Sequence, residues 1–195
     1  MEMEILEKFL SENILPDLAK GRPNDVPHTL LVVKMIKNIV TDSPELKLDL
    51  EVLIIAAYAH DWGYTDLLDP TIKIRLEHLG ELKETHMKVG AEKLSKLLES
   101  RFFDHLTEDR KKRAIHLVGV HDKLDALKDV DEIVIMEADS LGGMDPDVMG
   151  IFGDKDSEER YMKKSRELRL TKFITPYSKN MFEKLYLKRL KLKTA

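Results

Sequence analysis

Residues 50–60 read LEVLIIAAYAH, a run that is apolar on nearly every side of a helix. A helix with one apolar stripe can lie on a surface, but one that is apolar all round has to be enclosed by other elements. Asp49 stands where a capping side chain belongs, just before the run. Around it the chain shows helical periodicity almost throughout and hardly any strand alternation. The expectation is an all-α bundle built around 50–60, and burying that helix carries its polar end, His60-Asp61, toward the interior.

The remaining helices are expected at about 3–14, 27–40, 86–99, 108–120, 130–141, 157–170 and 177–192. Pro16 should end the first. Asp25 can cap the second, with Pro27 tolerated in its first turn. Thr85 can cap the helix from 86. The segment GGMDPD should break the one before it, and Pro176 should separate the last two. Residues 62–84 read as irregular or only partly helical, and a connection of that length in a compact domain is often a lid or a binding loop. With no internal repeat or low-complexity linker, the 195 residues form one expected domain over 1–195. Its core spans about 25–145, with helices 157–192 packed on it.

Composition narrows the function classes. The chain holds 43% hydrophobic and 35% charged residues, which suits a soluble globular protein. The net charge is −4, and only Lys184 to Lys193 is clearly basic, so no nucleic-acid partner is expected. No apolar run approaches the roughly 20 residues that span a bilayer, so no membrane partner is expected either. The acidic, amphipathic start MEMEILEKFL is not that of a signal peptide. Absence of cysteine excludes disulfides and thiolate metal sites and fits a cytoplasmic location. Self-association is left open.

Six residues stand out because their helix faces point inward. His28 shares a face with Leu31, Val32, Met35, Ile36 and Ile39. His86 shares one with Val89, Gly90, Leu94 and Leu97. His121 follows Ala114, Leu117 and Val118 on its own, and Asp139 follows Ile135 and Met136. His60 and Asp61 end the most apolar helix. Taken singly, a histidine on an apolar face is more often a hydrogen-bonded core residue than a ligand. A buried carboxylate, however, has to be paired or bind a cation. Imidazoles and carboxylates together suit Fe, Mn, Ni, Co or Zn. His78 lies in the long connection, within reach of a substrate. His105 and His116 read as structural or solvated.

The order His28, His60-Asp61, His86, His121, Asp139 resembles the HD superfamily of metal-dependent phosphohydrolases, as do the local stretches AAYAHDWG and MEADSLGGM. The likeness covers about 25–145. It implies an HD-domain helical bundle with the metal site in the core. One divalent ion would be held by His28, His60, Asp61 and Asp139, and a second by His86 and His121, with Asp61 bridging. A second dyad, His121-Asp122, also exists. The first is preferred because it follows the buried helix, and Asp122 is then a helix-end or surface residue. The Gly-Tyr-Pro signature and extra histidine pair of the cyclic-dinucleotide branch are absent.

The activity this resemblance implies is hydrolysis of a nucleotide or small phosphate ester by a metal-bound hydroxide, mono- or diester left open. Asp61, His86 and Lys123 are assigned to catalysis. Lys73, Arg75, Lys83 and Lys88 also flank the ligands, but Lys123, just past His121, is the first choice for binding phosphate. Two rival readings share the ligand set: a mixed-valence di-iron oxygenase of the same superfamily, and a non-catalytic ligand-binding HD domain.

Overall fold

A computed structural model describes residues 1–68, 80–150 and 155–193. It contains helices and turns and, among the described residues, no strand. Helix α3, Leu50–Ala59, lies at the centre, with every residue from Val52 to Ala59 buried. The Asp49 carboxylate accepts from the Val52 N–H at 3.2 Å, as its position suggested. Five helices surround α3: α1 (Met3–Leu18), α2 (Asp25–Asp42), α4 (Lys83–Leu98), α5 (Glu108–Val120) and α6 (Val130–Met144). The short α7 (Pro146–Met149) and α8 (Lys155–Lys164) lead to α9 (Pro176–Lys193), which packs on α6 and α2.

Several boundaries differ from the sequence expectation for identifiable reasons. Helix α1 continues through Pro16 to Leu18, which completes a buried stripe of Leu6, Leu10, Ile14 and Leu18 at four-residue spacing. A proline this close to the end removes few helical bonds, and packing of the stripe offsets that loss. Helix α2 starts two residues before Pro27. Asp25 does not cap it but turns inward, 1% exposed, onto Arg22. Thr85 is not a cap either, because α4 already begins at Lys83. Helix α6 runs through Gly142 and Gly143 to Met144. Those glycines permit close packing: a Cβ on Gly142 would stand 2.9 Å from the His28 ring and from Val32. The expected helix 157–170 stops at Lys164 and passes into a π-turn, Ser165–Arg169.

Two devices position the interior ends of these helices. Buried Glu137 on α6 accepts from the backbone N–H groups of Ile174 and Thr175, which ties the start of α9 to the core. After α3, the 3₁₀ segment Trp62–Asp66 runs against α4. Trp62 Nε1 and Lys93 Nζ both donate to Asp17, at 2.7 and 2.8 Å. At Gly63 the two backbones approach so closely that a Cβ would lie 2.0 Å from the His86 carbonyl oxygen. A side chain there would push α4, and with it His86, away from His60-Asp61. Gly63→Ala is therefore expected to destabilise the fold by about 3 kcal/mol, the upper end for overpacking. Urea denaturation measures this, and a change below about 1 kcal/mol would show that the two segments adjust freely.

Candidate metal centre

The six inward residues converge at one end of α3, from α2, α3 and its exit, α4, α5 and α6. They form two groups of potential ligands, His28, His60 and Asp139, and Asp61, His86 and His121. Within each group the ligand atoms lie within 4.8 Å of one another. Asp61 sits between the groups. Its Oδ2 is 3.8 Å from His28 Nε2 and 3.7 Å from His60 Nε2, while its Oδ1 is 3.6 Å from His86 Nε2 and 3.8 Å from His121 Nε2.

The donor set fits a cation. His60, His86 and His121 give their Nδ1–H groups to the carbonyls of Ala57, Leu82 and Val118, at 2.8, 3.3 and 2.9 Å. A carbonyl only accepts, so each neutral ring carries its proton on Nδ1 and a lone pair on Nε2. His86 Nε2 and His121 Nε2 nevertheless face each other at 3.4 Å, and His28 Nε2 and His60 Nε2 at 3.1 Å. Between His86 and His121, both neutral, lone pairs aimed at one point need a positive charge between them, whereas His28 Nε2 and His60 Nε2 also face the Asp139 carboxylate, at 3.1 and 3.6 Å. His28 Nδ1 is buried and, among the described residues, has no hydrogen-bond partner.

Electrostatics around the two groups differ. Burial pushes the His86 pKa down to about 4, and burial together with His60 lowers that of His121, so both are neutral ligands near pH 7. For His60, burial works against the proton, but Asp61 and Asp139 outweigh it and hold the pKa up at about 9. An incoming cation would displace that proton. Asp61 and Asp139 are both held below the usual carboxylate range. Burial opposes this, and it is overcome by His60 and Arg22 at Asp61 and by His28, His60 and Arg169 at Asp139.

A shell of residues holds these ligands in place. Arg22 donates to Asp25 Oδ1 at 2.6 Å and to Asp61 Oδ2 at 3.3 Å, with its guanidinium 4.5 Å from the centre of the Tyr64 ring. Tyr64 in turn stacks on His86, with ring centroids 4.0 Å apart and planes 8° from parallel. On the opposite side Arg169 donates to Asp139 Oδ2 at 3.1 Å, to Ser140 Oγ at 3.0 Å, and to Asp122. A cavity of about 540 Å³ opens over the centre. Arg22, Lys83, Lys164 and Arg169 are among its lining residues, together with Asp61, His86 and Asp139.

Other residues singled out in the sequence fall as follows. Lys123 is exposed and is not among the cavity-lining residues, because the chain turns away at the end of α5. Lys88 is exposed on α4 and likewise outside the cavity lining, whereas Lys83 lines it. Lys73, Arg75 and His78 lie outside the described residues. Asp122 is not a surface residue: it lines the cavity and pairs with Lys83 at 3.3 Å as well as with Arg169. His105 and His116 are engaged away from the centre, with Glu51 at 2.7 Å and Glu132 at 2.6 Å. The sequence reading missed Arg22, Tyr64 and Arg169. Arg22 and Tyr64 stand six and four residues from ligands, but the position of Arg169 carries no local signal.

Comparison with known proteins agrees with this arrangement. No curated protein matches the chain. A crystal structure from an uncultured Thermotogales bacterium, described as a predicted HD superfamily hydrolase, matches with a TM-score of 0.55 at 18% identity. It covers 97% of this chain and 88% of that one, a likeness of fold. The HD domain family model matches residues 26–144, a stretch that holds all six converging histidines and aspartates. With more than half of its length matched, including the dyad that ends α3, the chain belongs to the HD domain family.

Proposed function

We propose that the protein is a metal-dependent phosphohydrolase acting on a nucleotide or small phosphate ester with two divalent transition ions, among Fe, Mn, Ni, Co and Zn. The observation that carries this reading is the convergence of four histidine Nε2 atoms in two pairs, with one oxygen of Asp61 turned toward each. His28, His60 and Asp139 would hold one ion and His86 and His121 the other, with Asp61 shared. When bound, such a pair would supply Lewis acidity that activates water and draws charge from the phosphoryl oxygens.

The chain's own residues do the rest. Asp61 turns one oxygen toward each histidine pair and would be shared between the two ions. Arg22 holds the Asp61 oxygen nearest His28 and His60, and Tyr64 fixes the plane of His86. The cations around the cavity attract an anionic substrate and hold it for reaction. His86 acts here through its ligand role. Phosphate binding passes from Lys123 to residues that line the cavity. The partner in this reading is a small phosphorylated molecule and the setting a reducing cytoplasm, with neither nucleic acid nor membrane involved.

The test is elemental analysis of protein purified without chelator, with a broad panel of phosphate esters assayed in air and without oxygen, with iron and with manganese. About two ions per chain and phosphate release that is independent of oxygen and supported by several metals are expected. Turnover only with iron and oxygen would assign the chain to the oxygenase class instead. Metal uptake with no turnover under any condition would favour a ligand-binding domain.

A further inference from the structure

We propose that Arg169 and Lys83 form the seat for a doubly charged terminal phosphoryl group, so that the site selects phosphate monoesters over diesters; this rests on the phosphohydrolase reading and refines it. Arg169 stands where the π-turn Ser165–Arg169 interrupts the chain after α8. The extra residue in such a turn re-aims the side chains that follow. The guanidinium reaches Asp139 Oδ2 at 3.1 Å, which puts it one carboxylate away from the metal centre. Its other arm and the Lys83 ammonium grip the same carboxylate, that of Asp122. Asp122 thus keeps two cations side by side at the cavity.

The charge balance decides which ester fits. Asp61 and Asp139 face the metal positions, and their negative charge is taken up there when ions bind. Among the described residues that line the cavity, Asp122 is then the carboxylate left to oppose Arg169 and Lys83. On the far side Arg22 retains Asp25 as its partner. The balance near Arg169 is left positive, over and above the ions themselves. A monoester brings two negative charges and three terminal oxygens, of which a planar guanidinium can hold two in parallel. A diester brings one charge and carries a carbon substituent where the third oxygen would sit. The remainder of the cavity, with Leu124, Met149 and Leu168 in its wall, leaves room for the body of the ester. Arg169 lies beyond residues 26–144, the segment matched to the HD family. The proposed metal ligands and Lys83 come from the shared core, and Arg169, the other half of the seat, comes from the segment after it.

The experiment measures binding of inorganic phosphate to metal-loaded protein by calorimetry, with metal content and melting recorded for each variant. It then compares kcat/KM for 4-nitrophenyl phosphate and bis(4-nitrophenyl) phosphate. Arg169→Ala should weaken phosphate binding by roughly tenfold to a hundredfold, as expected for lost hydrogen bonds between charged groups. It should lower kcat/KM for the monoester much more than for the diester, with metal content unchanged. Arg169→Lys, which keeps the charge and most of the packing, should restore part of both losses and serves if the alanine variant folds poorly. Equal phosphate affinity in wild type and Arg169→Ala, or equal loss with both esters, would overturn the proposal. So would loss of metal along with phosphate, since Arg169 would then only support Asp139. If wild-type protein binds phosphate through Arg169 yet hydrolyses neither these esters nor any other, the phosphohydrolase reading falls while the anion seat stands.

Discussion

Asp61→Ala should abolish turnover, while His105→Ala and His116→Ala retain near wild-type rates. Among the described residues, Asp61 is the side chain whose two oxygens address both groups of histidines, each oxygen 3.6–3.8 Å from two Nε2 atoms. Its removal takes a negative charge from both metal positions and leaves Arg22 facing the centre without its second partner. Loss of about 4 kcal/mol of transition-state stabilisation, the scale of a metal's Lewis-acid contribution, corresponds to roughly a thousandfold in rate. Steady-state rates with saturating metal measure it. His105 and His116 are also histidines with carboxylate partners, but Glu51 and Glu132 hold them outside the centre. Similar losses in all three variants would mean that convergence on Asp61 does not mark the reacting centre.

Removing metal should lower the melting temperature by about 10 °C. The six ligands come from five helices that α3 holds together, so ions bound there brace the bundle. The metal-free centre also keeps two pairs of Nε2 atoms pointed at each other. Binding to the folded state alone stabilises it by about 4 kcal/mol at a thousand times the dissociation constant, and a domain of this size shifts by roughly 2–4 °C per kcal/mol. Thermal melts of metal-replete and chelator-stripped protein, with metal loss verified, test it. Identical melts would show that these residues do not form a metal site in solution.

The convergence of the six residues was legible because each lies on or at the end of a helix whose apolar face is readable from spacing alone. His28 follows the stripe of Val32, Met35, Ile36 and Ile39, and the all-apolar α3 leaves its terminal His60-Asp61 nowhere to go but inward. A cap with a local mechanism was equally legible: Asp49 accepts from the N–H three residues on. Local rules failed where a distant contact outweighed them. Pro16 does not stop α1 because Leu18 completes its buried stripe, and Gly142 and Gly143 do not stop α6 because His28 and Tyr161 pack against them. Asp25 is drawn from a cap position to Arg22 for the same kind of reason.

The residues around the ligands belong to the tertiary structure. Lys123 comes two residues after His121 in sequence, but it stands outside the cavity lining because the helix has ended and the chain turns outward. Arg169, 30 residues from Asp139, enters the site because α9 anchors on Glu137 and a π-turn aims it there. Periodicity determines which face of a helix is buried, and so it determined which histidines and aspartates met. Which cations came to stand over them depended on how distant segments pack, since a charged side chain on a polar stretch carries no periodic signal of the partner it will find.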